Sequence, residues 1–177
     1  VVSYRRHSDE FLLQRDDPAF YRNTHRTDQF GGQLITRYAP SRLLRIAAGG
    51  EAFHYGLKSA SLGDRSESPA ALLAGAVLGR PAAWTLAPGA RIDWHEGHGH
   101  FVSPSISAAW WPVSPVRLRA SIGRALRTPT WTDRYYRDPA NVGNEELSPE
   151  SSWTSEIGAD LAVTAGTQLG VAVFERR

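Results

Sequence analysis

Apolar and polar residues alternate along most of this chain with a period of two. From Trp84 to His95, the residues Trp84, Leu86, Pro88, Ala90, Ile92 and Trp94 share one side, and Thr85, Ala87, Gly89, Arg91, Asp93 and His95 share the other. Val102, Ile106, Ala108 and Trp110 oppose Ser103, Ser105 and Ser107. Val116, Leu118, Ala120 and Ile122 oppose Arg117, Arg119, Ser121 and Gly123. Trp153, Ile157, Ala159, Leu161 and Val163 oppose Thr154, Glu156, Gly158 and Asp160. A strand points successive side chains to opposite faces, so each run predicts a strand with one apolar and one polar face. Weaker runs predict further strands near 1–12, 21–38, 43–55, 70–80 and 168–177, for about nine strands in all.

The connections carry a second pattern. They fall at about 13–20, 39–42, 56–69, 81–83, 95–100, 112–115, 128–151 and 165–167, and long and short ones take turns along the chain. In an antiparallel meander, alternate connections lie at opposite ends of the sheet. One end therefore carries tight turns and the other large loops, which is the asymmetry of an outer-membrane barrel. The longest apolar stretch, Ala70 to Gly79, is too short for a membrane helix, which needs about 20 residues. A spanning strand needs only about 9–11. Trp84 and Trp94 lie ten residues apart on one face. At ~3.3 Å per residue and a tilt of ~40°, that separation covers roughly 25 Å of barrel axis, the height of the apolar band between aromatic girdles. Trp84, Trp110 and Trp111 fall beside short turns, and Trp94 and Trp153 near the loop end. The fold class expected is all-β: part of an antiparallel up-and-down transmembrane β-barrel, with residues 1–177 forming a portion of the barrel domain. A secreted soluble β-rich binding domain is the alternative, with the same tryptophans in a core.

Composition narrows this picture modestly. Twenty basic residues face 18 acids, for a net charge of +2, and they are interspersed. No basic stripe of the kind that nucleic acid requires is present. Cysteine is absent, so disulfides and thiolate metal ligands are excluded. The polar face puts Arg117 and Arg119 on one strand beside Glu156 and Asp160 on the next, which predicts at least one close cross-strand ion pair.

The stretch GNEELSPES, Gly143 to Ser151, separates the last two strongly alternating runs. Gly143 and Asn144 suit a chain reversal, and Pro149 holds Ser148 extended for re-entry into the sheet. Taken with its flanks, it resembles a signature of TonB-dependent outer-membrane receptors. There, an Arg-x-Pro stretch ends a strand, and an extracellular loop closes on Gly-Asn-Pro-x-Leu-x-Pro-Glu before a strand entered through Glu-x-Gly. The matching residues are Arg127, Pro129, Gly143, Asn144, Leu147, Pro149, Glu150, Glu156 and Gly158, with Glu145 in place of the proline. The opening Tyr4 to Gln29 and the pair PGARIDWH and SPSISAAW are similar to segments of the cobalamin- and siderophore-receptor branch.

The resemblance implies a bacterial outer-membrane receptor, set among lipopolysaccharide, that takes up a ferric siderophore or corrinoid. It also implies a plug domain and a TonB box, neither of which is in these residues, through which the TonB complex drives release. A passive porin-like channel and a barrel enzyme remain alternatives. No nucleophile elbow, phosphate loop or dinucleotide fingerprint is present, so no catalytic or cofactor-binding residue is assigned. The DWHEGHGH stretch offers His95, His98 and His100 with Asp93 to a transition metal, and is read more simply as a polar hairpin tip. The loop at 128–151 offers Trp131, Arg134, Tyr135, Tyr136 and Arg137 for stacking on, and charge attraction to, a ligand.

Overall fold

The alternating runs become strands whose registers align like faces with like. The computed structural model describes all 177 residues. Its strands are β1 (Val2–Leu12), β2 (Arg22–Ser41), β3 (Leu44–Ser59), β4 (Gly63–Glu67), β5 (Ala70–Arg80), β6 (Trp84–His95), β7 (Gly99–Val113), β8 (Val116–Arg127), β9 (Glu150–Thr164) and β10 (Thr167–Arg176), with one helical turn, α1 (Trp131–Tyr135). All lie in one sheet of order β1-β2-β3-β5-β6-β7-β8-β9-β10, with every neighbour antiparallel and β4 paired only to β3. β1 and β10 are not paired with each other, so the sheet is open.

The nine expected strands are therefore the nine of the main path, and β4 is a tenth. It arises where β3 changes partner. Leu44 to Ala52 pair with β5, whereas Tyr55 to Ser59 pair with β4. Between them the Phe53 N–H donates to the carbonyl of Pro69, one of the two residues that separate β4 from β5. The expected loop at 56–69 is thus mostly a hairpin that lengthens the sheet. The turn end has connections 42–43, 81–83, 114–115 and 165–166. The loop end has 13–21, the β3–β4–β5 extension, 96–98 and 128–149. The link at 96–98 is as short as the turn at 81–83, because β6 and β7 zip up to His95 and Gly99.

Register rows show the two faces. Trp84, Trp110, Leu118, Ala159 and Val171 are successive partners across β6 to β10, and Leu86, Ala108, Ala120, Ile157 and Val173 form the next row. This apolar face is open: Ile157 is 71% exposed and Val173 75%. Only nine of 177 residues are buried, so no second layer covers it. Each large aliphatic side chain left in water forgoes about 1.5–3 kcal/mol, so a face this continuous requires an apolar neighbour. It ends abruptly toward the loops. Tyr4 pairs with Phe30, and one step on Arg6 pairs with Asp28. There the Tyr4 hydroxyl and the Arg6 Nε both donate to Asp28 Oδ1, at 2.7 and 2.5 Å, and Arg26 reaches Asp28 Oδ2 at 3.1 Å.

Trp111 departs from its expected girdle role. It follows Trp110 directly, so it faces the polar side, where the Arg117 guanidinium lies 5.6 Å from its ring centre. Trp84, Trp94, Trp110 and Trp153 stay on the apolar face, each between 41% and 57% exposed.

Candidate functional site

The segment between β8 and β9 is built by short-range polar contacts. Thr130 and Asp133 form a capping box around α1: each side chain accepts from the other residue's backbone N–H, at 3.1 and 3.0 Å. Arg127, the last residue of β8, donates to Asp133 Oδ2 at 3.1 Å and to Glu150 Oε2 at 3.3 Å, so it ties both ends of the loop to its first turn. Arg127, Pro129, Asp133, Leu147 and Glu150 line a small cavity of about 190 Å³ between those ends. Gly143 and Asn144 close the loop on α1: the Gly143 N–H donates to the Tyr136 carbonyl at 2.7 Å, and the Asn144 N–H to the Asp133 carbonyl at 3.1 Å. A Cβ on Gly143 would sit 2.7 Å from the Arg134 carbonyl, which is why glycine stands there. Most of the loop's motif residues thus hold the loop's shape. The sequence already carried a signal for the unexpected helix, since Thr130-x-x-Asp133 is a capping-box pattern.

Glu156 and Gly158 work on the sheet. Arg119 on β8 forms an ion pair with Glu156 and places its Nε 3.4 Å from Asp160, which Arg117 also approaches at 3.7 Å. The cross-strand ion pairing expected from sequence is present. Gly158 makes room for it, because a Cβ there would lie 2.8 Å from the Arg119 guanidinium carbon. A second cluster nearer the loops is equally complete: Arg91 donates to Asp93 at 2.8 Å and to Glu51 at 2.5 Å, and Gln33 donates to Glu51 at 2.9 Å.

That second cluster takes Asp93 away from the histidines. His95 lies on the polar side with its ring centre 6.5 Å from that of Phe101. His100 pairs across the ladder with Trp94 on the apolar side. His98 occupies the tip between them. The three do not converge, and nowhere are three His, Asp or Glu side chains gathered at metal-binding range.

His98 instead meets the loop. Its Nε2 is buried without a partner, as is Arg134 Nε. Desolvation, then the charge of Arg134, then that of His95 hold its pKa below the usual histidine value, against a smaller opposing pull from Glu67. Arg134 lies 4.9 Å from the centre of the Tyr135 ring, and Arg65 of β4 lies 3.7 Å from the same ring. Arg65 shares a ladder row with Leu57, on the polar face. Neither arginine has a carboxylate within ion-pair range, although eleven arginine–carboxylate contacts occur elsewhere. Of the five candidates in this loop, the structure brings Arg134 and Tyr135 into this group. Tyr136 turns to Asp138, whose charge raises its phenol pKa. Arg137 is exposed in a bridge to Val142, and Trp131 is half-buried on α1. Sequence reading missed Arg65 altogether, because nothing local ties it to a tyrosine seventy residues on.

Known proteins share this architecture. The siderophore receptor PirA from Pseudomonas aeruginosa superposes with a TM-score of 0.72 at 21% identity, over 88% of this chain and 32% of that one. A variant of the ferric enterobactin receptor PfeA from Pseudomonas aeruginosa gives 0.80 at 18%, over 98% and 31%. The FrpB iron transporter from Neisseria meningitidis gives 0.66 at 17%, over 88% and 28%. The chain thus spans about a third of the length of the structures it matches, and at these identities the likeness establishes the fold. Comparison with curated protein sequences finds no match. The model of the TonB dependent receptor-like β-barrel matches residues 13–177, nearly the whole chain, and by that match the chain belongs to the TonB-dependent receptor β-barrel family.

Proposed function

We propose that these strands are part of the wall of a bacterial outer-membrane receptor that captures a scarce ligand, a ferric siderophore or a corrinoid, and imports it with energy delivered through TonB. The observation that carries the reading is the division of the sheet. One face is a continuous apolar band bounded by tryptophans and tyrosine, suited to lipid. The other is a wall of paired charges, crowned at the loop end by arginines with no carboxylate partner. Lipid would replace the missing second layer, and lipopolysaccharide would meet the charged rim beyond Tyr4 and Phe30. The siderophore receptors that share the fold support the choice of ligand class. In this reading the strands beyond β1 and β10, a plug domain and a TonB box come from the rest of the receptor. The sheet performs no chemistry on its cargo. The loop candidates Trp131, Arg134, Tyr135, Tyr136 and Arg137 belong to the ligand-facing surface.

Growth supplies the test. A strain lacking the full receptor gene should fail on a particular ferric siderophore, or on cobalamin, as the limiting source, and a plasmid copy should restore growth only when TonB is intact. Rescue in a TonB-deficient strain would instead identify a passive channel.

A further inference from the structure

The apolar face is not level. Ala108 of β7 and Ala120 of β8 are direct ladder partners, and both are exposed. Bulky side chains surround them. Leu86 and Ile157 flank the pair in the same row, Trp110 and Leu118 form the next row toward the turns, and Ile106 and Ile122 the next toward the loops. Two open cavities of about 480 and 510 Å³ meet over the alanines, since both are lined by Leu86, Ala108, Ala120 and Ile157. They make one furrow that begins at Trp84 and Trp110 and ends between Ile106 and Ile122. Trp110 to Ile106 is four residues of strand, or about 13 Å at ~3.3 Å each. A tilt of ~40° turns that into roughly 10 Å of height, close to half of the ~25 Å apolar band. The furrow is thus about one leaflet deep, and it opens at the turn end.

Arg80 stands at that opening. It is the ladder partner of Trp84, which in turn pairs with Trp110, so all three lie on the apolar side. Arg80 is exposed, and the other outward residues at the mouth, Leu78, Trp84, Trp110 and Leu118, carry no charge. A guanidinium at the edge of an apolar band keeps its stem on the greasy surface and extends its head toward an anion or water. Resting on the receptor reading above, we infer that the furrow is a binding site for one glycerophospholipid of the inner leaflet. One acyl chain lies over Ala108 and Ala120, held on either side by Leu86 and Ile157. The two small residues let it come close to the backbone, where it gains contacts that a level surface would not give. Arg80 takes the phosphate through its N–H fork, and the indole N–H groups of Trp84 and Trp110 are further donors at the same level. The depth of the furrow and the single cation at its mouth select this lipid over lipid A, whose headgroup would lie at the loop end.

The experiment takes the full receptor in mild detergent and records native mass spectra during stepwise delipidation, then after adding back phosphatidylglycerol or lipid A. One phospholipid per receptor should outlast the rest and should be regained from phosphatidylglycerol. A120F, which fills the furrow, should abolish retention. R80Q should weaken the regained binding about tenfold or more, the loss expected for charge-assisted hydrogen bonds. A74F, on the same apolar side but outside the furrow, should retain the lipid as the parent does. Unchanged heat-modifiable migration on gels would show that the variants fold. Retention that survives both A120F and R80Q, or that A74F abolishes equally, would overturn the site and leave the receptor reading standing. So would preference for lipid A, or a second receptor copy that A120F displaces. A receptor that stays monodisperse in water without detergent would overturn both.

Discussion

Two arginine groups on the same face of the same sheet behave oppositely. Near the turn end, Arg117 and Arg119 of β8 are met by Glu156 and Asp160 of β9, and Gly158 is kept small so that Arg119 can lie across it. At the loop end, Arg65 and Arg134 share a tyrosine and have no acid. The first group is fixed by ladder register: Arg117 and Asp160 are direct partners, as are Arg119 and Gly158. The second is fixed only by a loop folding back on a distant hairpin. Completed charge is tied into the wall, and under the proposed function the uncompleted charge is left for a ligand from outside the chain. Removing an arginine from the first should cost stability and leave binding intact, while removing one from the second should do the reverse.

The sharpest way to break that contrast is Arg119→Ala in the full receptor. It leaves Asp160, whose side chain is only 12% exposed, and Glu156 without their nearest cation. Loss of one partner of a fully buried pair costs about 3–5 kcal/mol. Arg119 remains 30% exposed, so a loss of roughly 1–3 kcal/mol is expected. Gly158→Val should cost a similar ~1–3 kcal/mol by crowding the guanidinium and the Val171 carbonyl. Because both changes remove the same contact, their effects on the denaturant midpoint should be well short of additive. Additive losses, or any change in ligand affinity, would dissolve the distinction between the two groups.

Gly143→Ala probes the other side of the comparison. The added methyl would collide with the Arg134 carbonyl and loosen the closure of the loop on α1. The sheet should keep its denaturant midpoint, since the damage lies outside it. Proteolysis within 128–149 should accelerate several-fold, in line with about 1–2 kcal/mol of local destabilisation. Ligand affinity should fall as Arg134 loses its setting. An unchanged cleavage rate would mean that this glycine does not hold the loop.

How far these features could be read in advance depends on the range of the force that made them. The wall was legible because the alternation of apolar and polar residues is written plainly into β6, β7, β8 and β9. Arg117 and Arg119 beside Glu156 and Asp160 needed only the register of one hairpin-like pair. β4 was not legible: Gly63–Glu67 is a polar run beyond the apolar band, where neither face needs apolar residues. Trp111 was misplaced because a girdle role was read from nearness to a turn, when one step of alternation sends it inward beside Arg117. The α1 turn was overlooked although Thr130 and Asp133 announce it. The Arg65–Tyr135 contact is the hard case, since it joins a hairpin and a loop far apart in sequence, and no local periodicity encodes it.

Acid offers a smaller, reversible perturbation of the same loop. Hydrogen bonds from Thr130's backbone and side chain, with the nearby Arg127 charge, hold the Asp133 carboxyl below its ordinary value of 3.8. A carboxyl depressed in the folded state contributes stability that is whole above its unfolded pKa and is lost as pH falls through the folded value. The capping box should therefore persist from neutral pH to about 4 and release below it. Trp131 fluorescence, followed from pH 7 to 3, should report the change, and Asp133→Asn should remove it. A transition unaltered in that variant would place the acid sensitivity elsewhere.

The least effect is expected at Arg127, and it is the most instructive about exposure. Like Arg119 it meets two carboxylates, Asp133 and Glu150, at comparable distances of 3.1 and 3.3 Å. Yet Arg127 is 58% exposed and Glu150 72%, so water and salt screen both contacts. Arg127→Ala should cost less than about 1 kcal/mol, and the difference from the parent should shrink further in roughly 1 M salt. Measured beside Arg119→Ala by the same denaturant midpoint, the pair isolates the variable that separates them. Equal losses at the two positions would show that counting carboxylates suffices. A loss confined to Arg119 would show that the sheet's shelter, and not the number of partners, decides which arginine holds the wall together.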